Sequence, residues 1–137
     1  VAQLPFSWIY PSESDASTEP KRSAKTDKLY YDADIIVGDY KYVIQFMPDD
    51  LVGTIVITNT TTPDDIDFLH KRGVELVVTT TPRLEGRSFG TNVIEALLVA
   101  AKGSQGPLAP GEYLTCLKQE GFTPSVHYAS KNEEIKR

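Results

Sequence analysis

Three short apolar runs, separated by segments with helical periodicity, constrain the fold of this 137-residue chain most strongly. They are residues 34–38, 54–58 and 75–79. Each has the length of a strand and is apolar without alternation, which is typical of strands buried in a parallel sheet. The segment between the last two runs has Thr62 as a helix cap and Pro63 at the first helical position. A strand, a crossover helix and a strand predict parallel pairing.

The remaining segments predict further elements and the limits of the domain. A short amphipathic helix follows the first run and ends before Pro48, and two later helices are expected before Gly103 and after Pro110. The stretch GFTPSVHYA predicts an edge strand. We therefore expect an α/β fold, a three-layer Rossmann-like domain with a mainly parallel sheet, over residues 34–128. Residues 1–33 are assigned to an N-terminal strand, at residues 4–10, and a polar linker, and residues 129–137 to a charged tail.

Composition excludes several classes of function. Hydrophobic residues make up 40% and charged residues 24%, and the net charge is -5. The acidic balance argues against binding to nucleic acid, and no apolar run is long enough to span a membrane.

The single cysteine, Cys116, is typical of a cytoplasmic protein and is expected to be a packed thiol. His70 and His127 have no further ligands at metal spacing, so no metal site is predicted. Because the chain opens on Val rather than Met, we expect an upstream domain in the same parent chain.

Polar residues gather where the predicted strands end. Ligands of open parallel sheets bind outside the carboxyl ends of the strands. Asp39 follows the first strand, Asn59 and Thr60 the second, and Thr80 and Thr81 the third. Asp39 is the candidate catalytic residue, as a general base, a hydroxyl acceptor or a magnesium ligand, but a cap for the following helix explains it equally well.

The loop at residues 79–92, TTTPRLEGRSFGTN, is the sharpest functional signal. Its glycines permit close backbone approach, and a helix N-terminus at Thr91 or Asn92 favours an anion. Arg87 can hold a carboxylate or phosphate bidentately. The predicted ligand-binding residues of the loop and the other strand ends are Asn59, Thr60, Thr80, Thr81, Arg87, Ser88, Gly90, Thr91 and Asn92. In the alternative interpretation, Arg87 pairs with Glu85 or Glu95 and the loop only connects layers.

The strings ADIIVGDYKYVIQFMPDDLVGTIVITNTTTP and GVELVVTTTPRLEGRSFGTNVIEALLVA resemble the carboxyl-terminal domain of a bacterial family labelled quinate 5-dehydrogenase-like. The resemblance covers residues 34–128. It implies part of an NAD(P)-dependent quinate/shikimate-type oxidoreductase, with NAD or NADP as cofactor. The catalytic Lys and Asp pair of those enzymes is not recognisable in this chain, and the GxGxxG dinucleotide fingerprint is absent.

Two hypotheses of function follow. In the first, the domain binds a small anionic metabolite or nucleotide, with the anion at Arg87 and the helix N-terminus and hydroxyls at Asp39 and the threonines. In the second, it is a non-catalytic ligand-sensing or oligomerisation module of a larger protein, and the same loop binds an effector or a second subunit. The sequence leaves both hypotheses, and a homo-oligomer, open.

Overall fold

The computed structural model describes residues 23–129. In chain order the elements are α1 (Ala24–Tyr31), β1 (Ile35–Val37), α2 (Tyr40–Gln45), β2 (Ile55–Thr58), α3 (Pro63–Lys71), β3 (Leu76–Thr79), β4 (Arg83–Leu84), β5 (Arg87–Ser88), α4 (Thr91–Ala101), α5 (Pro110–Gln119) and β6 (Ser125–Tyr128). The strand predicted at residues 4–10 and the charged tail from residue 130 lie outside the described residues.

Four strands form the main sheet in the order β1-β2-β3-β6. The first three are parallel, with Ile35 opposite Ile55 and Ile55 opposite Leu76, and β6 is antiparallel to β3. A second sheet of two strands joins β4 to β5. The predictions of an α/β fold, of parallel pairing and of an edge strand near the end of the chain are therefore confirmed.

The principal core lies between one face of the sheet and the helices α2 and α3. Strand residues alternate between the two faces, and the alternation places Val56 and Val77 on this face, where both are buried. Val43 from α2 and Leu69 from α3 pack against them. Helix α3 begins with the predicted cap, because Thr62 and Asp65 form a capping box in which each side chain accepts a hydrogen bond from the other residue's backbone N–H.

Helices α4 and α5 form a separate packing unit. Ile94 and Leu98 of α4 pack with Leu108 and Cys116, in a cluster distinct from the principal core. Cys116 is buried, as expected for a packed thiol. The cluster positions the N-terminus of α4 directly after the loop that follows β3.

Helix α1 was assigned in sequence to the polar linker, and that assignment is wrong for residues 24–31. Ser23 caps the helix by accepting a hydrogen bond from the N–H of Thr26. The hydroxyl of Tyr30 donates to the carbonyl of Val43 over 2.8 Å, and its ring packs against the principal core. Since α1 is tied to α2 in this way, it is a part of the packed structure rather than a connector.

Candidate functional site

The carboxyl ends of β1 and β2 bring Asp39 next to Thr60. Asp39 is the N-cap of α2, and its Oδ1 accepts a hydrogen bond from the N–H of Lys41 over 3.1 Å. The hydroxyl of Thr60 lies 3.3 Å from Oδ2 of Asp39 and 3.1 Å from Oδ1 of Asn59. The capping interpretation of Asp39 is therefore confirmed, and one of its carboxylate oxygens also contacts the end of the neighbouring strand.

A second polar group surrounds Asp65 in the first turn of α3. Burial alone raises the pKa of this carboxyl, but hydrogen bonds from Thr62 and Tyr40 and the positive charge of Arg87 outweigh it and lower the pKa. Burial, and then the hydrogen bond to Asp65, raise the pKa of the Tyr40 phenol. The positive charge of Arg87 therefore acts on Asp65, a partner that was not considered in sequence. Within residues 23–129 Arg87 forms no ion pair within 4.0 Å.

The loop after β3 contains a β-hairpin that the sequence did not predict. Strands β4 and β5 pair Arg83 with Ser88 and Leu84 with Arg87. The two turn residues, Glu85 and Gly86, have φ of 51° and 82°. Positive φ at both central residues is the signature of a type I′ turn, whose twist matches that of the strands it joins.

Ser88 attaches the hairpin to the end of β2. Its backbone N–H donates to the carbonyl of Thr61 over 2.8 Å. Its side-chain oxygen accepts from the N–H of Thr61 over 2.8 Å and lies 2.7 Å from the Thr61 hydroxyl. Both side chains are buried. Ser88 therefore anchors the hairpin through its buried side chain, and the ligand contact predicted for it stays a prediction.

Helix α4 begins at the end of this loop without a side-chain cap. Gly90 is the N-cap residue, and no side chain accepts a hydrogen bond from the first turn. A Cβ atom at Gly90 would lie 3.4 Å from the Thr60 hydroxyl, so the loop after β2 closely approaches this helix end. The first residue of the helix is Thr91, as the sequence predicted. Uncapped N–H groups at a helix N-terminus attract negative charge.

A cavity of about 380 Å³ opens between the end of β3 and the helices α4 and α5. Its polar lining residues are Thr80, Thr81, Thr91, Glu95 and Tyr113. The apolar lining residues are Pro82, Ile94, Leu98 and Leu117.

Hydrogen bonds fix several polar groups of the cavity. The Tyr113 hydroxyl donates to Oε1 of Glu95 over 3.0 Å and accepts from the N–H of Leu108 over 3.1 Å. Thr80 donates to the carbonyl of Thr58, and Thr81 donates to the carbonyl of Phe89. The carbonyl partners hold these two side chains in place at the end of β3.

The structure divides the predicted site residues into neighbouring groups. Thr80, Thr81 and Thr91 line the cavity. Asp39, Asn59, Thr60 and Gly90 form the adjacent rim at the ends of β1 and β2. Arg87 is an exposed residue of the hairpin, opposite Leu84, and Asn92 is an exposed residue in the first turn of α4. The ligand contacts predicted for these residues stay predictions.

The sequence did not identify the cavity residues of the two last helices. In sequence, Glu95 is only a possible partner of Arg87; Leu98 and Leu117 are apolar helix positions, and no pattern marks Tyr113. The i, i+4 spacing of Thr91 and Glu95, and of Tyr113 and Leu117, places each pair on one helix face. Whether the two pairs line the same cavity depends on the packing of α4 against α5. Residue spacing within one helix carries no information on that packing.

No helix within residues 23–129 is both long and apolar enough to cross a membrane. In the same part of the chain, no group of three or more His, Cys, Asp and Glu side chains is arranged to hold a metal ion.

The fold and the cavity define an α/β domain with a candidate small-molecule site at the carboxyl edge of its sheet. The chain belongs to a protein family described as a domain of unknown function (DUF8754), and the match covers residues 1–129. No curated protein and no solved structure matches the chain. The family description names no activity, so kinship with the quinate 5-dehydrogenase-like family stays a prediction.

Proposed function

We propose that this domain binds a small, hydroxylated anionic metabolite in the cavity between β3, α4 and α5. The single observation that carries the proposal is the position of the cavity, at the strand carboxyl ends and beside the uncapped N-terminus of α4. Ligands of open parallel sheets bind at that edge, and helix N-termini bind anions. A volume of about 380 Å³ is near the lower end of the range for ligand pockets and suits a metabolite of modest size.

The charges of the lining indicate how such a ligand is oriented. Glu95 repels an anion at its own side of the cavity, whereas Thr91 and the N–H groups of the first turn of α4 attract one. The ligand's acid group therefore faces Thr91, and a hydroxyl group faces Glu95, where it donates to the carboxylate that also accepts from Tyr113. The apolar wall formed by Ile94 and Leu98 contacts the carbon skeleton.

The oxidoreductase function rests on the family resemblance and extends this proposal. A hydroxylated ring acid of the quinate or shikimate type satisfies the orientation just described, and NAD or NADP would then be the co-substrate. A complete dinucleotide needs space beyond the cavity, on the rim formed by Asp39, Asn59 and Thr60. In this extended proposal Asp39 accepts a proton from the substrate or a hydrogen bond from a ribose hydroxyl. A Rossmann-like strand order is the finer form of the fold that we propose with it, and the third layer stays a prediction.

A thermal-shift titration of the full chain tests the proposal. The panel comprises quinate, shikimate, inorganic phosphate, NAD and NADP. A ligand that binds only the native state stabilises it by about 2.7 kcal/mol at 100 times its Kd. For a chain of this length that amounts to a rise in Tm of roughly 9 °C. A hydroxylated acid is expected to raise the Tm, and no response to any member of the panel contradicts the proposal.

A matched pair of variants and one charge variant locate the binding. Thr80→Phe places a ring in the cavity and is expected to abolish the ligand response, while Thr115→Phe, on an exposed position of α5, leaves it intact. Glu95→Gln removes the negative charge from the lining. For charges about 8 Å apart at an effective dielectric constant of about 40, this strengthens anion binding by about 1 kcal/mol, or roughly fivefold. Equal affinity in Glu95→Gln and wild type would place the anion elsewhere.

A further inference from the structure

The face of the sheet opposite α2 and α3 is apolar across all four strands. Alternation along the strands and their register place eight apolar side chains on this face. They are Ile35, Val37, Ile55, Ile57, Leu76, Val78, Val126 and Tyr128. None of them belongs to either of the two hydrophobic clusters of residues 23–129.

The outer strands of this face are the most exposed. Ile35 and Val37 of β1 are 52% and 71% exposed, and Val126 and Tyr128 of β6 are 52% and 73% exposed. Single exposed apolar residues are common on protein surfaces, but parallel strands normally have both faces of their sheet covered, and this face has no cover within residues 23–129. We call these eight residues the open face.

The size of the open face restricts what can cover it. Four strands about 4.8 Å apart, with three or four residues of about 3.3 Å each, span an area of roughly 200 Å². A stable interface between two proteins buries about 800 Å² on each partner. A second copy that docks through the open face alone is therefore about fourfold short of that area. A short segment of the same chain needs no such area, because its tether supplies a high effective concentration.

The amino-terminal part of this chain contains one suitable segment. Residues 4–10, LPFSWIY, are almost entirely apolar and are separated from α1 by the polar stretch PSESDASTEPKRS. The family match begins at residue 1, so this segment belongs to the same conserved unit as the sheet. The intervening residues 11–23 reach up to about 40 Å when extended, more than twice the width of the sheet. The chain then passes through α1 directly into β1, at the edge of the open face.

We propose that residues 4–10 of this chain dock across the open face and form its hydrophobic cover. The contact is intramolecular and buries Trp8 against the strand residues that are now exposed. This inference is independent of the proposed ligand, because the cavity lies at the strand carboxyl ends and shares no residue with the open face.

The chain has one tryptophan, Trp8, which makes the proposal directly testable by fluorescence of residues 1–137. We expect the native emission maximum to be blue-shifted from that of the urea-unfolded chain, and acrylamide to quench native Trp8 several-fold less strongly. Native emission and quenching equal to those of the unfolded chain would overturn the proposal without the need for any variant.

A matched pair of variants identifies the surface that buries Trp8. Val37→Lys places a charge on the open face, whereas Val52→Lys changes a similarly exposed valine outside it. Val37→Lys is expected to shift Trp8 emission to the red and raise quenching, with an unchanged far-UV circular dichroism spectrum, and Val52→Lys has no such effect. Protection of Trp8 that persists in folded Val37→Lys and in Val126→Lys overturns the proposed location.

Dilution separates the tethered segment from a second copy of the chain. Protection of Trp8 is expected to be independent of protein concentration, with a monomer in sedimentation velocity. If protection falls on dilution in step with dissociation of a dimer, the cover comes from another molecule and the proposal is wrong.

Discussion

Replacing Ser88 with alanine tests the anchor that holds the hairpin against β2. The substitution removes the side-chain acceptor of the Thr61 N–H, at 2.8 Å, and the 2.7 Å contact with the Thr61 hydroxyl, and it leaves the backbone bond from Ser88 in place. A buried donor left without a partner costs about 1–3 kcal/mol, and a hydrogen bond contributes about 1 kcal/mol net. We therefore expect Ser88→Ala to lower the free energy of unfolding by about 2 kcal/mol, or the Tm by roughly 7 °C.

Urea unfolding followed by circular dichroism measures this loss. Thr115→Ala is the matched control, because the Thr115 hydroxyl also forms a 2.8 Å hydrogen bond with the backbone, as a donor to the Gly111 carbonyl, but on an exposed helix surface. There we expect a change within about 0.5 kcal/mol. A double-mutant cycle with Thr61→Val, which removes the hydroxyl partner and keeps the backbone N–H, measures the interaction of the two side chains. The double mutant should lose about 1 kcal/mol less free energy of unfolding than the sum of the two single mutants. A loss in Ser88→Ala no larger than that in the control would refute the anchoring role.

Three further predictions concern the scaffold around the site. Gly73→Ala should destabilise the fold by at least about 1 kcal/mol more than Gly53→Ala in urea unfolding. Both glycines have positive φ, of 87° and 81°, but only the Cβ at Gly73 meets a backbone atom, the nitrogen of Val52 at 2.9 Å; equal losses would contradict this. Thr62→Ala removes the cap of α3 and should cost about 1 kcal/mol, whereas Thr62→Ser should cost less. Burial and nearby positive charge lower the pKa of His127 below its ordinary value of 6.5, so the unfolded chain binds the proton more tightly. Stability should therefore fall as the pH drops below about 6.5, and His127→Gln should reduce this dependence between pH 7.5 and 5.5.

The main strands and helices were predictable because their signals are local. Continuous apolar runs identified β1, β2 and β3, and the sequence Thr62-Pro63 marked the start of α3 within a residue. These signals come from residues that are neighbours in sequence, and tertiary packing did not change the conformation that they favour in these four elements.

Helix α1 and the hairpin were missed for different physical reasons. Helix α1 has no buried residue, so no apolar stripe marks it in the sequence, and its attachment is the contact of Tyr30 with the Val43 carbonyl, thirteen residues away. The hairpin turn requires left-handed φ at Glu85. Asparagine, aspartate and glycine usually occupy that position, so a Glu-Gly turn gives a weak sequence signal.

The candidate site was predictable in position but not in shape. The rule for parallel sheets correctly directed attention to the strand ends, where Thr80, Thr81 and Thr91 line the cavity. Tyr113 and Leu117 enter the same cavity from a helix that begins about twenty residues after Thr91. Local spacing does not define such long-range packing, so the apolar wall and the Glu95–Tyr113 pair were found only in the structure.

The most direct test of the central claim is a two-dimensional ¹⁵N–¹H NMR titration of the full chain with quinate, shikimate and inorganic phosphate. We predict that a hydroxylated acid produces saturable shifts concentrated at the amides of Thr80, Gly90 and Thr91, where the cavity meets the N-terminus of α4. Saturable shifts confined to α1 and β1, or no shifts with any of these anions at millimolar concentration, would contradict a small-anion site at the carboxyl edge of the sheet.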